Sequence, residues 1–164
     1  MRIAADAPFV EVISGTFYRM RFTSASATLL HPAQSPLGRW HHNGQKALYL
    51  SETPEGTRVA SRLYFKPDDP QRQIYPICVS DARVLNLRTI EALHHYKIDA
   101  SEKHCIWHDL PVQGKPSPTW AISDAIRTLG FDGMLCPSRS RPELTHLTLF
   151  RWNESGAPQV AHGK

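Results

Sequence analysis

Two hydroxyls and two guanidiniums arrive together at Ser138, Arg139, Ser140 and Arg141. Arginine presents a planar fork that meets two oxygens at once, so such a cluster at a strand end is chemistry for an anion, a phosphate above all. A solvated basic loop is the alternative reading of the same four residues. A second candidate lies far upstream, in Gly38-Arg39-Trp40-His41-His42-Asn43-Gly44. Glycines on both sides let backbone and a guanidinium approach a phosphate closely. The alternative there is a hairpin loop with Trp40 as a lid over the core. His41 and His42 do not suggest a metal site, because adjacent side chains point apart and no further ligands stand at suitable spacing.

The elements that must position these residues follow from periodicity. Ala121, Ile122, Ala125, Ile126 and Leu129 recur at helical spacing, and Gly130 supplies a left-handed stop. Asp132-Gly133 reads as a turn and Met134-Leu135-Cys136 as a short buried strand, ended by Pro137. His146 to Phe150 returns as another strand. Earlier, residues 16–22 alternate apolar and basic types, with Phe17, Arg19 and Arg21 on one face and Tyr18, Met20 and Phe22 on the other. Residues 1–15 read as a leader and 24–37 as a loop. Residues 47–51 are a strand, and Thr53-Pro54-Glu55 starts a helix that carries Val59, Ala60, Leu63 and Tyr64 inward. Strands follow over 73–79 and 82–87, then a short helix over 89–96. Between 99 and 118 the chain is polar, with Trp107 and Leu110 as core contacts. The tail from Asn153 to Lys164 reads as frayed.

Composition bounds the rest. The 164 residues suit one domain, 1–164, with a core over about 16–152 and loose termini. No apolar run reaches the roughly 20 residues of a membrane span, and Asp6 interrupts any signal-like start. Cys78, Cys105 and Cys136 are odd in number and widely spaced, which suits reduced, buried thiols in the cytoplasm. The net charge of +4 permits a polyanionic ligand. It is spread along the chain with no basic helix or aromatic-basic motif, so direct nucleic-acid binding is not expected.

Taken in order, several blocks resemble the RES domain family. They are Tyr18-Arg19, then Gly38-Arg39-Trp40 with Asn43-Gly44, then Ala47-Leu48-Tyr49-Leu50-Ser51 with Thr53-Pro54-Glu55. Val84-Leu85-Asn86-Leu87-Arg88, Gly130-Phe131-Asp132-Gly133, Pro137-Ser138-Arg139 and Leu147-Thr148-Leu149-Phe150 complete the pattern. The resemblance implies an α+β fold, with an ADP-ribosyltransferase-like split β-sheet core and surrounding helices. It implies the toxin of a toxin–antitoxin system that consumes NAD. The nicotinamide–ribose bond breaks, and ADP-ribose passes to water, phosphate or a target protein. It also implies an antitoxin partner with a helix-turn-helix domain, and no metal.

Carried over by position, the resemblance points to Arg39, Tyr49 and Ser138 as catalytic residues. It points to Arg19, Arg39, Tyr49, Ser138, Arg139 and His146 as the NAD-binding set. The chemistry is compatible: arginines chelate pyrophosphate oxygens, an aromatic face stacks on the nicotinamide cation, and a hydroxyl holds a ribose oxygen. Two departures stand out. The family glutamate should fall near Ala60 and Ser61, and neither is acidic. Glu52 and Glu55 are the nearest carboxylates, with Glu55 the preferred substitute; the alternative is that Glu55 only favours a helix N-terminus. His146 stands where an asparagine is common. A module that binds NAD or ADP-ribose without turnover is therefore a second reading, and a basic nucleic-acid binder a third.

Overall fold

The computed structural model describes residues 1–107 and 109–164, and for 109 and 112 the backbone. Six strands form the sheet: β1 (Glu11–Phe22), β2 (Leu48–Ser51), β3 (Arg72–Asn86), β4 (Gly133–Pro137), β5 (Thr145–Leu149) and β6 (Gln159–His162). Among the described residues four α-helices accompany them: α1 (Pro54–Ser61), α2 (Ile90–His95), α3 (Asp109–Val112) and α4 (Pro118–Thr128). The strand order is β1-β2-β5-β4-β3-β6, and β1 pairs a second time, with β3. Five strands thus close into a barrel-like ring, and β6 extends along β3 beside β4. The β3–β4 pair is parallel and the others are antiparallel.

Strand alternation fills both sides of this ring. Phe17, Leu48, Leu50, Ile77, Val79, Val84, Leu147 and Leu149 pack into one apolar cluster with Leu29 and Trp152. Leu85, Leu87, Met134 and Cys136 face the other way, against Ile122 and Ile126 of α4 and Ala92 and Leu93 of α2. Helix α4 begins as its sequence dictates: the Ser117 hydroxyl accepts from the Thr119 N–H, with Pro118 in the first turn. Gly130 ends it with φ at 86°. A Cβ there would also press on the backbone of Met1 and Ile3.

Several expectations change. The stretches 73–79 and 82–87 are one strand, because β3 continues through Asp81, which adopts a positive φ beside the register shift between Ile13 and Gly15 of β1. The stretch 1–15 is no leader: β1 starts at Glu11, the Ile3 N–H donates to the Gly130 carbonyl, and Arg2 grips Asp132. Nor is the tail frayed. Asn153 donates to the Val160 carbonyl and accepts from the Val160 N–H, setting up β6. Helix α1 does not bury the face expected of it. It stops at Ser61 and tightens into a 3₁₀ turn over Arg62–Tyr64, which breaks the helical phase, and Leu63 and Tyr64 stay 65% and 53% exposed. Trp40 is no lid but a core residue, 1% exposed. Trp107 and Leu110 are only half-buried and belong to neither core cluster. Cys136 is buried, but Cys78 lies exposed on β3, where alternation sends Ile77 and Val79 inward instead. No described helix is long and apolar enough to cross a membrane.

Candidate functional site

A cavity of about 420 Å³ opens where β1 and β2 part. That size falls within the rough 300–1,000 Å³ range of small-ligand sites. These two strands share a single residue pair, Tyr18 opposite Ser51. The register continues across the sheet: Ser51 lies opposite His146, and His146 opposite Cys136. Tyr18, Ser51, His146 and Cys136 form one transverse row, and all four line the cavity. One wall is α1 and its 3₁₀ extension, through Thr57, Ala60, Ser61 and Arg62. The other is the Gly38–His41 loop.

Helix α4 fixes that loop. Thr119 Oγ1 donates to the Arg39 carbonyl (2.5 Å) and Trp120 Nε1 to the Gly38 carbonyl (2.8 Å). His42 stacks on Trp120 at 4.5 Å, with its Nε2 2.8 Å from Asp124 Oδ2. From the strand side, Tyr49 Oη accepts from the Trp40 N–H (3.0 Å) and lies 2.6 Å from His41 Nδ1. His41 Nε2 is 2.8 Å from the Ser35 carbonyl, which can only accept. Nε2 therefore carries the proton, and Tyr49 donates to Nδ1. Burial drives the Tyr49 hydroxyl upward and the His41 ring downward from their usual pKa values, so both are neutral. A Cβ on Gly38 would collide with the His41 ring and the Tyr49 hydroxyl, which is why a glycine stands there.

All six expected NAD-site residues line this one cavity: Arg19, Arg39, Tyr49, Ser138, Arg139 and His146. Arg19 is buried and donates to the carbonyls of Leu29 (2.5 Å) and His31 (2.7 Å). Burial lowers its pKa to about 10. Arg39 donates to the Lys103 carbonyl and lies over the Trp40 ring at 4.8 Å. Its Nε is buried with no partner. Ser138 sits at the end of β4; its N–H donates to the Leu144 carbonyl (2.8 Å) and its Oγ accepts from the Arg141 N–H (3.3 Å). Arg88 steadies that loop, donating to Thr145 Oγ1 and to the carbonyls of Pro142 and Leu144. His146 Nδ1 is 2.8 Å from Ser51 Oγ. Burial first, then the charges of Arg39 and Arg88, hold its pKa at about 4.

Glu55 is the correction. It does not line the cavity. Its carboxylate pairs with Arg141 at 3.0 Å and Arg58 at 3.5 Å, in the first turn of α1. Glu55 lies on the side of α1 that carries Arg58, whereas Thr57, Ala60 and Ser61 of the same helix line the cleft. Ala60 and Ser61 do reach it, so the acidic position is empty of acid rather than displaced. Four arginines line the cavity, 19, 39, 62 and 139, and no described Asp or Glu does. Ser51, Arg62, Tyr64 and Trp107 are lining residues that the sequence reading did not assign to the site. Ser51 was readable, since it shares Tyr49's face by period two. Arg62 and Tyr64 were not, because the helix changes pitch before them. Among the described residues no cluster of three or more His, Cys, Asp or Glu could hold a metal ion.

A family model for the RES domain matches residues 16–163. The chain belongs to the RES domain family. Among solved structures, this RES domain is similar to a chain of the MbcT–MbcA toxin–antitoxin complex of M. tuberculosis. The TM-score is 0.57 at 16% identity, covering 94% of this chain and 87% of the other. The likeness at that identity is one of fold. A comparison with curated protein sequences gave no significant match.

Proposed function

We propose that this RES domain is the toxin of a bacterial toxin–antitoxin pair, acting in the cytoplasm, and that its cleft binds NAD and breaks the nicotinamide–ribose bond. One observation carries the reading: four guanidiniums and several aromatic rings line a cavity with no described carboxylate. An anionic dinucleotide with flat bases matches that lining. Arg39, with an unpartnered Nε, and Arg19 are the groups for the pyrophosphate. Tyr49, held rigid by Trp40 and His41, offers a ring face to the nicotinamide cation. Ser51 and Ser138 offer hydroxyls to ribose or carboxamide oxygens.

In the reaction the C–N electron pair leaves with nicotinamide, which becomes neutral. An oxygen of water, phosphate or a protein side chain bonds to the ribose carbon and releases its proton to solvent. The sugar passes through an oxocarbenium-like state, which a nearby negative charge stabilises. With no lining carboxylate, that charge is the dinucleotide's own pyrophosphate, and turnover is slow. The kinship to ADP-ribosyltransferases and the helix-turn-helix antitoxin partner belong to the same proposal, by analogy with the family. The solved complex of similar fold pairs MbcT with MbcA.

A second reading is retention of NAD without turnover, favoured by Ala60 and Ser61 standing in the cleft wall in place of an acid. Incubation with NAD decides between them, followed by mass spectrometry with water, phosphate or cell lysate as acceptor. Released nicotinamide supports the toxin reading. Intact NAD that raises the melting temperature supports the second. No release and no shift would overturn both.

A further inference from the structure

The chain holds thirteen arginines. Among the described residues only Arg62 and Arg139 have neither a hydrogen bond nor an ion pair, and both line the cleft. Every other arginine is engaged: Arg2 and Arg151 by Asp132, Arg58 and Arg141 by Glu55, Arg72 by Asp69, Arg127 by Asp124. Arg19, Arg39, Arg83 and Arg88 are held by main-chain carbonyls and Arg21 by a threonine hydroxyl. The two free guanidiniums are exposed, whereas Arg19 is buried and Arg39 half-buried. The cleft therefore has an anchored inner pair and an unpaired outer pair.

Charge counting then discriminates between ligands. The pyrophosphate of NAD carries two negative charges, which the inner pair answers. NAD has nothing left for the outer pair. A phosphomonoester on the adenosine ribose adds about −1.5 to −2 charges at pH 7 and three acceptor oxygens. A site built for a free ribose diol would instead offer a carboxylate to accept from its hydroxyls, and the cleft lining has none. We infer that the substrate class of this cleft is the 2′-phosphorylated nicotinamide dinucleotide, NADP, with Arg62 and Arg139 holding the extra phosphate. The inference rests on the dinucleotide reading above and narrows it.

Titration calorimetry of the intact chain at one low salt concentration tests it, with NAD, NADP and inorganic phosphate as separate titrants. NADP binds about tenfold more tightly than NAD, the gain of one charge-assisted contact. In the Arg62→Ala/Arg139→Ala double variant that ratio falls to about one. Both residues are exposed and unpartnered, so the variant keeps its melting temperature. Equal or weaker binding of NADP overturns the inference and leaves the NAD reading standing. Failure of both dinucleotides to bind overturns the two together. A preference that survives in the double variant removes these arginines from the role. Inorganic phosphate that binds through the same pair, with no NADP preference, shows a site for free phosphate and overturns the inference.

Discussion

Strand β4 has arginines gathered at both ends, and the two gatherings are built on different terms. Before β4 stands Asp132, 0% exposed, which accepts from Arg2 at 2.7 Å and from the Arg83 N–H at 2.8 Å and lies 3.5 Å from Arg151. Here each charge has its opposite. Beyond β4, the four arginines that line the cleft, 19, 39, 62 and 139, meet carbonyls, a tryptophan ring or solvent, and no described acid, while Arg141 beside Ser138 is turned away onto Glu55 and Glu143. Carbonyl dipoles orient a guanidinium without cancelling its charge. The first arrangement joins the N-terminal segment, β3 and β5 to the start of β4. The second leaves positive potential in a cavity, where low dielectric strengthens it. A basic balance of +4 reads the same for both uses; the partners separate them.

The largest effect should come from the neutralised end. Asp132→Ala leaves two arginines and a backbone N–H without their acceptor, at a cost of about 3–5 kcal/mol in unfolding free energy, read from urea denaturation. A loss under about 1 kcal/mol would break the contrast. Next comes Arg39→Ala at the open end. It should lower NAD affinity about tenfold to a hundredfold by calorimetry, while shifting the denaturation midpoint far less than the Asp132 variant does.

The open end also carries a pH signature. His146 titrates near 4 in the folded chain, against about 6.5 when unfolded. Between those values the unfolded chain takes up a proton that the folded one refuses. Stability should therefore fall as pH drops from about 6.5 to about 4 and level off below, by up to about 3 kcal/mol. Thermal melts over that range should show the slope in the parent chain and its flattening in His146→Gln. In Arg39→Ala the slope should shrink without vanishing, because burial is the larger cause. Smallest of all is Glu55→Gln. Its partners are exposed, so it should cost about 1 kcal/mol or less and leave nicotinamide release unchanged. A large loss of release would return Glu55 to the cleft.

Much of the site was legible because period-two alternation and helix signals are local. Thr53-Pro54 started α1 and Gly130 ended α4 where expected, whereas the Ser117-Pro118 start of α4 lay in the stretch read only as polar. Tyr49 and Ser51 share a face that the strand pattern alone predicts. Distant partners were not legible. Nothing near Asp132 in sequence announces Arg2, and Asp132-Gly133, read as a turn, holds a buried carboxylate instead. Nothing in the polar tail announces a strand, since β6 is held by backbone pairing to β3 and by Asn153 rather than by an apolar stripe. The closure of the sheet through β1–β3 was equally hidden, because ring closure depends on which long-range edges meet.

That closure has one thin place, the lone Tyr18–Ser51 pair between β1 and β2. A sheet breathes first where the fewest ladder bonds must break. Amide deuteration should therefore begin along this seam while the interior of β3 and β4 stays protected. A local unzipping there would widen the cleft while the bonds from α4 to the Gly38–His41 loop stay closed, an entry route for the dinucleotide proposed above.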